Sequence, residues 1–92
     1  MSTNNDVLGR LEKTGFSFFL TDIALAMTMV HIAADAGGDS DKKTRNQENA
    51  RRAYDTVLRL SNKTSLTDDE RDELNGKLGK LKAALEKLGE EF

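Results

Sequence analysis

The sequence predicts an all-α protein, a three-helix antiparallel bundle with up-down-up connections. The 92-residue chain has no proline, the residue that most often ends or kinks helices. Five leucines near its end recur at alternating spacings of four and three residues, and two earlier segments also repeat apolar residues with a helical period. A chain of this length forms one domain. We expect helices over residues 16–36, 41–61 and 68–88.

The composition limits the chemistry that the chain can support. It has no cysteine and one histidine, which excludes disulfides, thiolate metal sites and sites built from several histidines. Residues 42–63 carry seven bases against two acids, whereas the segments on either side are acidic. This layout favours charge pairing within the chain, because nucleic-acid binders more often show a basic excess over the whole domain.

The first predicted helix is apolar on two opposite faces. One stripe is formed by Phe16, Leu20, Ile23, Met27, Val30 and Ala34. The second stripe is formed by Phe18, Leu25, Met29 and Ile32. Two partner helices cover only one broad face, and an exposed apolar patch usually marks an interface. We therefore expect the second stripe to dock a second copy of the chain, as a homodimer, or another protein.

The segment before this helix is interpreted as a mobile polar N-terminal segment, residues 1–15, preceding a single helical-bundle domain over residues 16–92. A short helical turn through Val7, Leu8 and Leu11 would end at Gly15.

The second predicted helix has an apolar face and an opposite basic stripe. The stripe consists of Arg45, Arg52 and Arg59, nearly in line. Glu48 and Asp55 lie three or four residues from these or neighbouring arginines, so we expect intrahelical ion pairs along a solvated face. Contact with an acidic partner or a nucleic acid is the alternative use of the stripe. The expected core combines Phe16, Leu20, Ile23, Met27 and Val30 with Ala53, Tyr54, Val57 and Leu58 and with the leucines of the third helix.

The third predicted helix has the clearest pattern. Its leucine face contains Leu74, Leu78, Leu81, Leu85 and Leu88. Thr67 and Glu70 have the spacing of a capping box at its start, and Gly89 is placed to end it in a left-handed turn. Gly76 and Gly79 lie opposite the leucines, where they either face solvent or allow another backbone to pack closely.

Two groups of polar residues could suggest a catalytic or a metal site. His31 precedes Asp35 by one turn, but no third catalytic member is evident, so a half-buried structural histidine is expected. Asp35, Asp39 and Asp41 flank a glycine pair without the register of a calcium loop, and helix capping explains them. We predict no catalytic, cofactor-binding or metal-ligating residues, and no enzyme.

Residues 50–60, with the sequence ARRAYDTVLRL, resemble the second helix of a tetratricopeptide repeat. The resemblance covers one helix: Asn62 stands where that family has a proline, and no 34-residue period is present. It implies a helical hairpin in which alanines let two helices lie close, with Tyr54 and Leu58 in the groove. Such folds usually bind peptides or proteins.

These patterns predict a non-enzymatic, cytoplasmic protein-protein interaction module that uses its first helix and has no cofactor. One alternative is a nucleic-acid-linked regulator that uses the arginine stripe. The other is a membrane-associated protein, because residues 16–34 are long enough to span a bilayer. Asp22 and His31 disfavour a membrane span, since a charge at the bilayer centre costs about 2.5 to 3.5 kcal/mol. The charge pairing expected within the chain disfavours a nucleic acid, and these polar residues disfavour a membrane, so we expect neither as the partner.

Overall fold

The computed structural model describes residues 3–92, with side chains from residue 15 onward. In this part of the chain it contains three α-helices and no strand, which confirms the predicted all-helical class. Helix α1 spans Thr3–Ala34, α2 spans Ser40–Ser61 and α3 spans Asp68–Lys87.

The three helices pack in an up-down-up arrangement. Gly15 in α1 lies beside Thr64, just after the end of α2, so α1 and α2 are antiparallel. Gln47 near the start of α2 donates a hydrogen bond to Glu90, which follows α3, so α2 and α3 are antiparallel as well. Helix α1 packs more extensively on α2 than on α3.

Helix α1 begins well before the expected residue 16. Its backbone is helical from Thr3 and continues through Gly15 to Ala34, so the expected helical turn ending at Gly15 is wrong. A Cβ at position 15 would lie 3.8 Å from Thr64 Cγ2, which is an ordinary contact, so the position has room for glycine or alanine. One glycine costs a helix only about 1 kcal/mol, which neighbouring turns offset. The side chains of residues 1–14 lie outside the described residues.

The face of α1 that enters the core is rotated from the expected one. Its buried residues are Phe19, Ile23, Ala26, Val30 and Ala33. The expected Phe16, Leu20 and Met27 are only partly buried and pack at the edge of the core. The rotated face includes small residues, and Ala26 on α1 and Ala50 on α2 are both fully buried in the closely packed core.

Helices α2 and α3 complete the core with few departures from expectation. The leucines of α3 are buried as predicted, except that Leu88 is partly buried. Val57 and Tyr54 are buried on α2, whereas Leu58 is 38% exposed, so its expected place in the core is wrong. Leu58 follows Val57 by 100° around the helix, and Val57 takes the central position.

Local hydrogen bonds fix the starts of α2 and α3 and the turn between these two helices. Asp39 caps α2 by accepting from the Lys42 backbone N–H at 3.0 Å. The capping box expected at Thr67 and Glu70 is present, with distances of 3.1 and 2.9 Å. Arg71 donates from Nη2 to the carbonyl oxygens of Ser61 and Thr64, which holds the α2–α3 turn against α3.

Candidate interaction surface

The outer face of α1 presents three large apolar side chains to solvent. Phe18, Leu25 and Ile32 are 57%, 53% and 37% exposed, and each follows the previous one by seven residues. Seven residues are almost two helical turns, so the three side chains form a row along one side of the helix. Met29 is partly buried and packs against the core, so it lies at the edge of this row.

The rest of this outer face is mostly uncharged, and the one carboxylate beside the row is the partly exposed Asp22, four residues after Phe18 and three before Leu25. Ser17, Thr21, Ala24 and Thr28 are exposed on it, and Asp22 is the one acidic or basic residue of residues 15–34 apart from His31. Thr21 donates its hydroxyl to the Ser17 carbonyl at 2.9 Å, and Thr28 to the Ala24 carbonyl at 3.2 Å. These donors are therefore satisfied within the helix, and an apolar partner could cover them without leaving their hydroxyl protons unbonded.

The same segment meets the length and composition criteria of a membrane span. Gly15–Ala34 has a mean hydropathy of 1.6, and 28% of its most apolar window is buried inside the protein. The buried part contains Ile23, Ala26 and Val30, which pack against the other two helices. The exposed part is the outer face described above.

The arginine stripe on α2 is exposed and is not paired as expected. Arg45, Arg52 and Arg59 form no salt bridge with any residue that the structure describes. Arg52 donates instead to the side-chain oxygen of Asn49 at 3.4 Å, and Glu48 makes no ion pair with a described residue. The expectation of a stripe linked by intrahelical pairs is therefore wrong.

The intrahelical pair that does form belongs to Arg51. Its Nε lies 3.2 Å from Asp55 Oδ1, and its Nη1 lies 3.2 Å from Glu90 Oε1. Partial desolvation lowers the pKa of Arg51, but the hydrogen bonds and charges of Asp55 and Glu90 outweigh it and raise that pKa above its ordinary value. The guanidinium is thus held in its charged form against the segment after α3.

Sequence reasoning missed the contact that this arginine makes. Arg51 donates from Nη1 to the Glu91 carbonyl at 2.7 Å, and its guanidinium lies 3.9 Å from the centre of the Phe92 ring. The Phe92 ring also meets Tyr54 edge-on, with centroids 5.1 Å apart. We call Glu90, Glu91 and Phe92 the C-terminal clasp, because they fasten the end of α3 to α2.

His31 and Asp35 are the polar pair that the sequence offers for catalysis. His31 and Asp35 are exposed and both line a hollow between α1 and α3. No group of three potential metal-ligating side chains occurs among the residues searched in the described part of the chain. Gly76 and Gly79 are exposed, and a Cβ at either would have nothing within 4 Å.

Comparison with protein-family models, with curated proteins and with solved structures gives no match. The surfaces themselves therefore supply the functional inference.

Proposed function

We propose that this chain is a non-enzymatic, cytoplasmic interaction module that forms a homodimer through the outer face of α1. The observation that carries the proposal is the row of Phe18, Leu25 and Ile32, exposed on a face whose one neighbouring charge is the partly exposed Asp22. Removing apolar surface from water stabilises an association by about 25 cal/mol per Å². Phe18 and Leu25, each more than half exposed, offer the largest gain.

The spacing of the row suits pairing with another helix. A seven-residue repeat keeps side chains facing a partner when two helices cross at about 20° with a left-handed twist. In an antiparallel pair centred on Leu25, Phe18 would lie opposite Ile32 of the partner subunit, and the arrangement would have the two-fold symmetry of most homodimers.

Sedimentation equilibrium tests the homodimer directly. We expect the wild-type chain to sediment as a dimer at micromolar concentration, and Phe18→Asp or Leu25→Asp to sediment as monomers with unchanged helical content. Leu58→Asp is the matched control, because Leu58 is also exposed but lies on α2. A wild-type monomer, or a dimer that both α1 variants leave intact, would contradict the proposal.

The arginine stripe supports a second candidate, a nucleic-acid-linked regulator. Three exposed arginines without ion pairs to described residues are available to phosphate groups. This candidate predicts retention on DNA or RNA that falls steeply with salt and is lost in Arg52→Ala/Arg59→Ala. Equal retention of this double variant and the wild type would remove it.

The apolar segment of α1 supports a membrane-associated alternative. Gly15–Ala34 is long and apolar enough to cross a bilayer. This alternative predicts that the protein floats with lipid vesicles and that Leu25→Asp abolishes flotation. A protein that stays at the bottom of the gradient would remove it.

A further inference from the structure

The groove between α1 and α3 contains two hollows in line along the bundle. The first, of about 300 Å³, is lined by Leu20, Ile23, Ala24, Met27, Lys77 and Lys80. The second, of about 350 Å³, has walls that include Val30, Ala34, Ala84, Leu88 and Lys87. Their α1 residues are centred about nine positions apart, which corresponds to roughly 13 Å along a helix. The row of Phe18, Leu25 and Ile32 lines neither hollow.

The groove combines an apolar floor with a basic rim. Alkyl side chains from α1 form most of the floor, and Lys77, Lys80 and Lys87 stand along the α3 side. None of these lysines forms a salt bridge with a residue that the structure describes. Their spacings of three and seven residues keep the ammonium groups on one edge of α3.

We propose that this groove binds an acidic amphipathic helix of another protein. Two apolar side chains of that helix, about two turns apart, would enter the two hollows, in the manner of helix-in-groove recognition. Aspartate or glutamate residues beside them would pair with Lys77 and Lys80. Asp35 and Lys87 both line the second hollow and their charges offset each other there, so the acidic end of the bound helix lies over the first hollow, beside Lys77 and Lys80.

Charge and shape favour this occupant over other macromolecules. A lipid surface lies flat and cannot fill two separate hollows. A nucleic acid would find no aromatic side chain in either hollow for base stacking. A carboxylate-bearing helix satisfies the lysines and the apolar floor together.

A peptide titration followed by NMR tests the groove. The probe is a synthetic 16-residue helical peptide with leucines at positions i, i+4 and i+8 and glutamates beside the first of these leucines, added to uniformly ¹⁵N-labelled full-length protein. We expect amide shifts concentrated in residues 20–34 and 77–88, and at least a tenfold weaker affinity in Lys77→Glu/Lys80→Glu. Lys42→Glu/Lys43→Glu is the matched control, since it reverses two exposed charges outside the groove and should leave the affinity unchanged.

A second variant separates shape from charge. Ala24 is exposed and lines the first hollow, so Ala24→Phe fills the hollow without altering a lysine or the core. We expect this variant to bind the peptide more weakly while its amide spectrum remains that of a folded protein. Absence of shifts at millimolar peptide, equal binding of a peptide with lysines in place of the glutamates, or the same shifts caused by phosphatidylglycerol vesicles instead of the peptide would each overturn the proposal.

The groove proposal and the dimer proposal can be tested independently of each other. Lys77→Glu/Lys80→Glu leaves Phe18 and Leu25 in place, so its sedimentation should match that of the wild type. Loss of the dimer in Phe18→Asp together with retained peptide binding would support the groove and the dimer face as separate surfaces.

Discussion

Gly89 has the backbone conformation that least tolerates a side chain. Its φ is +104°, and it follows α3 in a Schellman turn. Its N–H donates to the Glu86 carbonyl at 3.0 Å, and the Glu90 N–H donates to the Leu85 carbonyl at 3.1 Å. This pattern satisfies helix carbonyls that would otherwise lack partners.

Substitutions at two glycines of this region should act in opposite directions. Gly89→Ala forces alanine into the left-handed region and should destabilise the protein by about 1 kcal/mol. Gly76→Ala removes a glycine from the exposed interior of α3, where nothing obstructs a Cβ, and should stabilise it by about 0.5 to 1 kcal/mol. Equilibrium unfolding in urea measures both, and a shared sign would contradict this explanation.

Residue-scale features were predictable where the interaction is local. The Thr67 capping box and the Gly89 turn involve atoms within four or five residues, so residue identity and spacing reveal them. The Arg51 contact with the C-terminal clasp joins positions 40 residues apart and depends on how α2 and α3 pack. No local pattern in Glu90 to Phe92 indicates it.

At the scale of elements, the core formed by α1 and α2 includes fully buried small residues. Ala26 and Ala50 have no exposed surface, so the core has no space for longer side chains there. We expect Ala50→Leu to destabilise the protein by about 1 to 3 kcal/mol, because overpacking moves the helices apart. Ala83→Leu, on the exposed face of α3, should change stability by less than about 0.5 kcal/mol. Urea unfolding compares the two, and similar losses in both would refute close packing at Ala50.

The C-terminal clasp should stabilise the end of α3. Phe92→Ala removes the edge-on contact with Tyr54, and we expect a loss of about 1 kcal/mol with faster amide hydrogen exchange at Glu90. Glu91→Ala serves as the control, because Arg51 binds the backbone carbonyl of residue 91 and not its side chain. Unchanged exchange in Phe92→Ala would show that the ring does not fasten the segment.

The sequence predicted the number of helices better than the orientation of α1. Helix α1 has apolar residues on nearly all of its sides, so periodicity alone could assign any of several stripes to the core. Burial of Ala26 and Ala33 decides the matter, and alanine contributes little to a hydrophobic pattern. Phe18, Leu25 and Ile32 are nevertheless exposed as expected, because the rotation of α1 still leaves them outside the buried face, whereas Met29 is partly buried against the core.

For the whole molecule, a homodimer makes thermal stability depend on concentration. Association stabilises the folded state by mass action, so we expect the Tm of the wild-type chain to rise between about 1 and 100 µM. Phe18→Asp should unfold at a Tm that does not change over this range. Differential scanning fluorimetry or circular dichroism measures both, and a wild-type Tm independent of concentration would argue against the dimer.

The molecule measures 60 × 19 × 16 Å along its principal axes, and this elongation affects how its mass can be determined. A rod of these proportions diffuses more slowly than a sphere of equal volume, because its frictional coefficient is larger. Size-exclusion elution calibrated with spherical standards would therefore overstate its mass and could make a single chain resemble a pair. Light scattering and equilibrium centrifugation report mass without reference to shape, so stoichiometry should be taken from them.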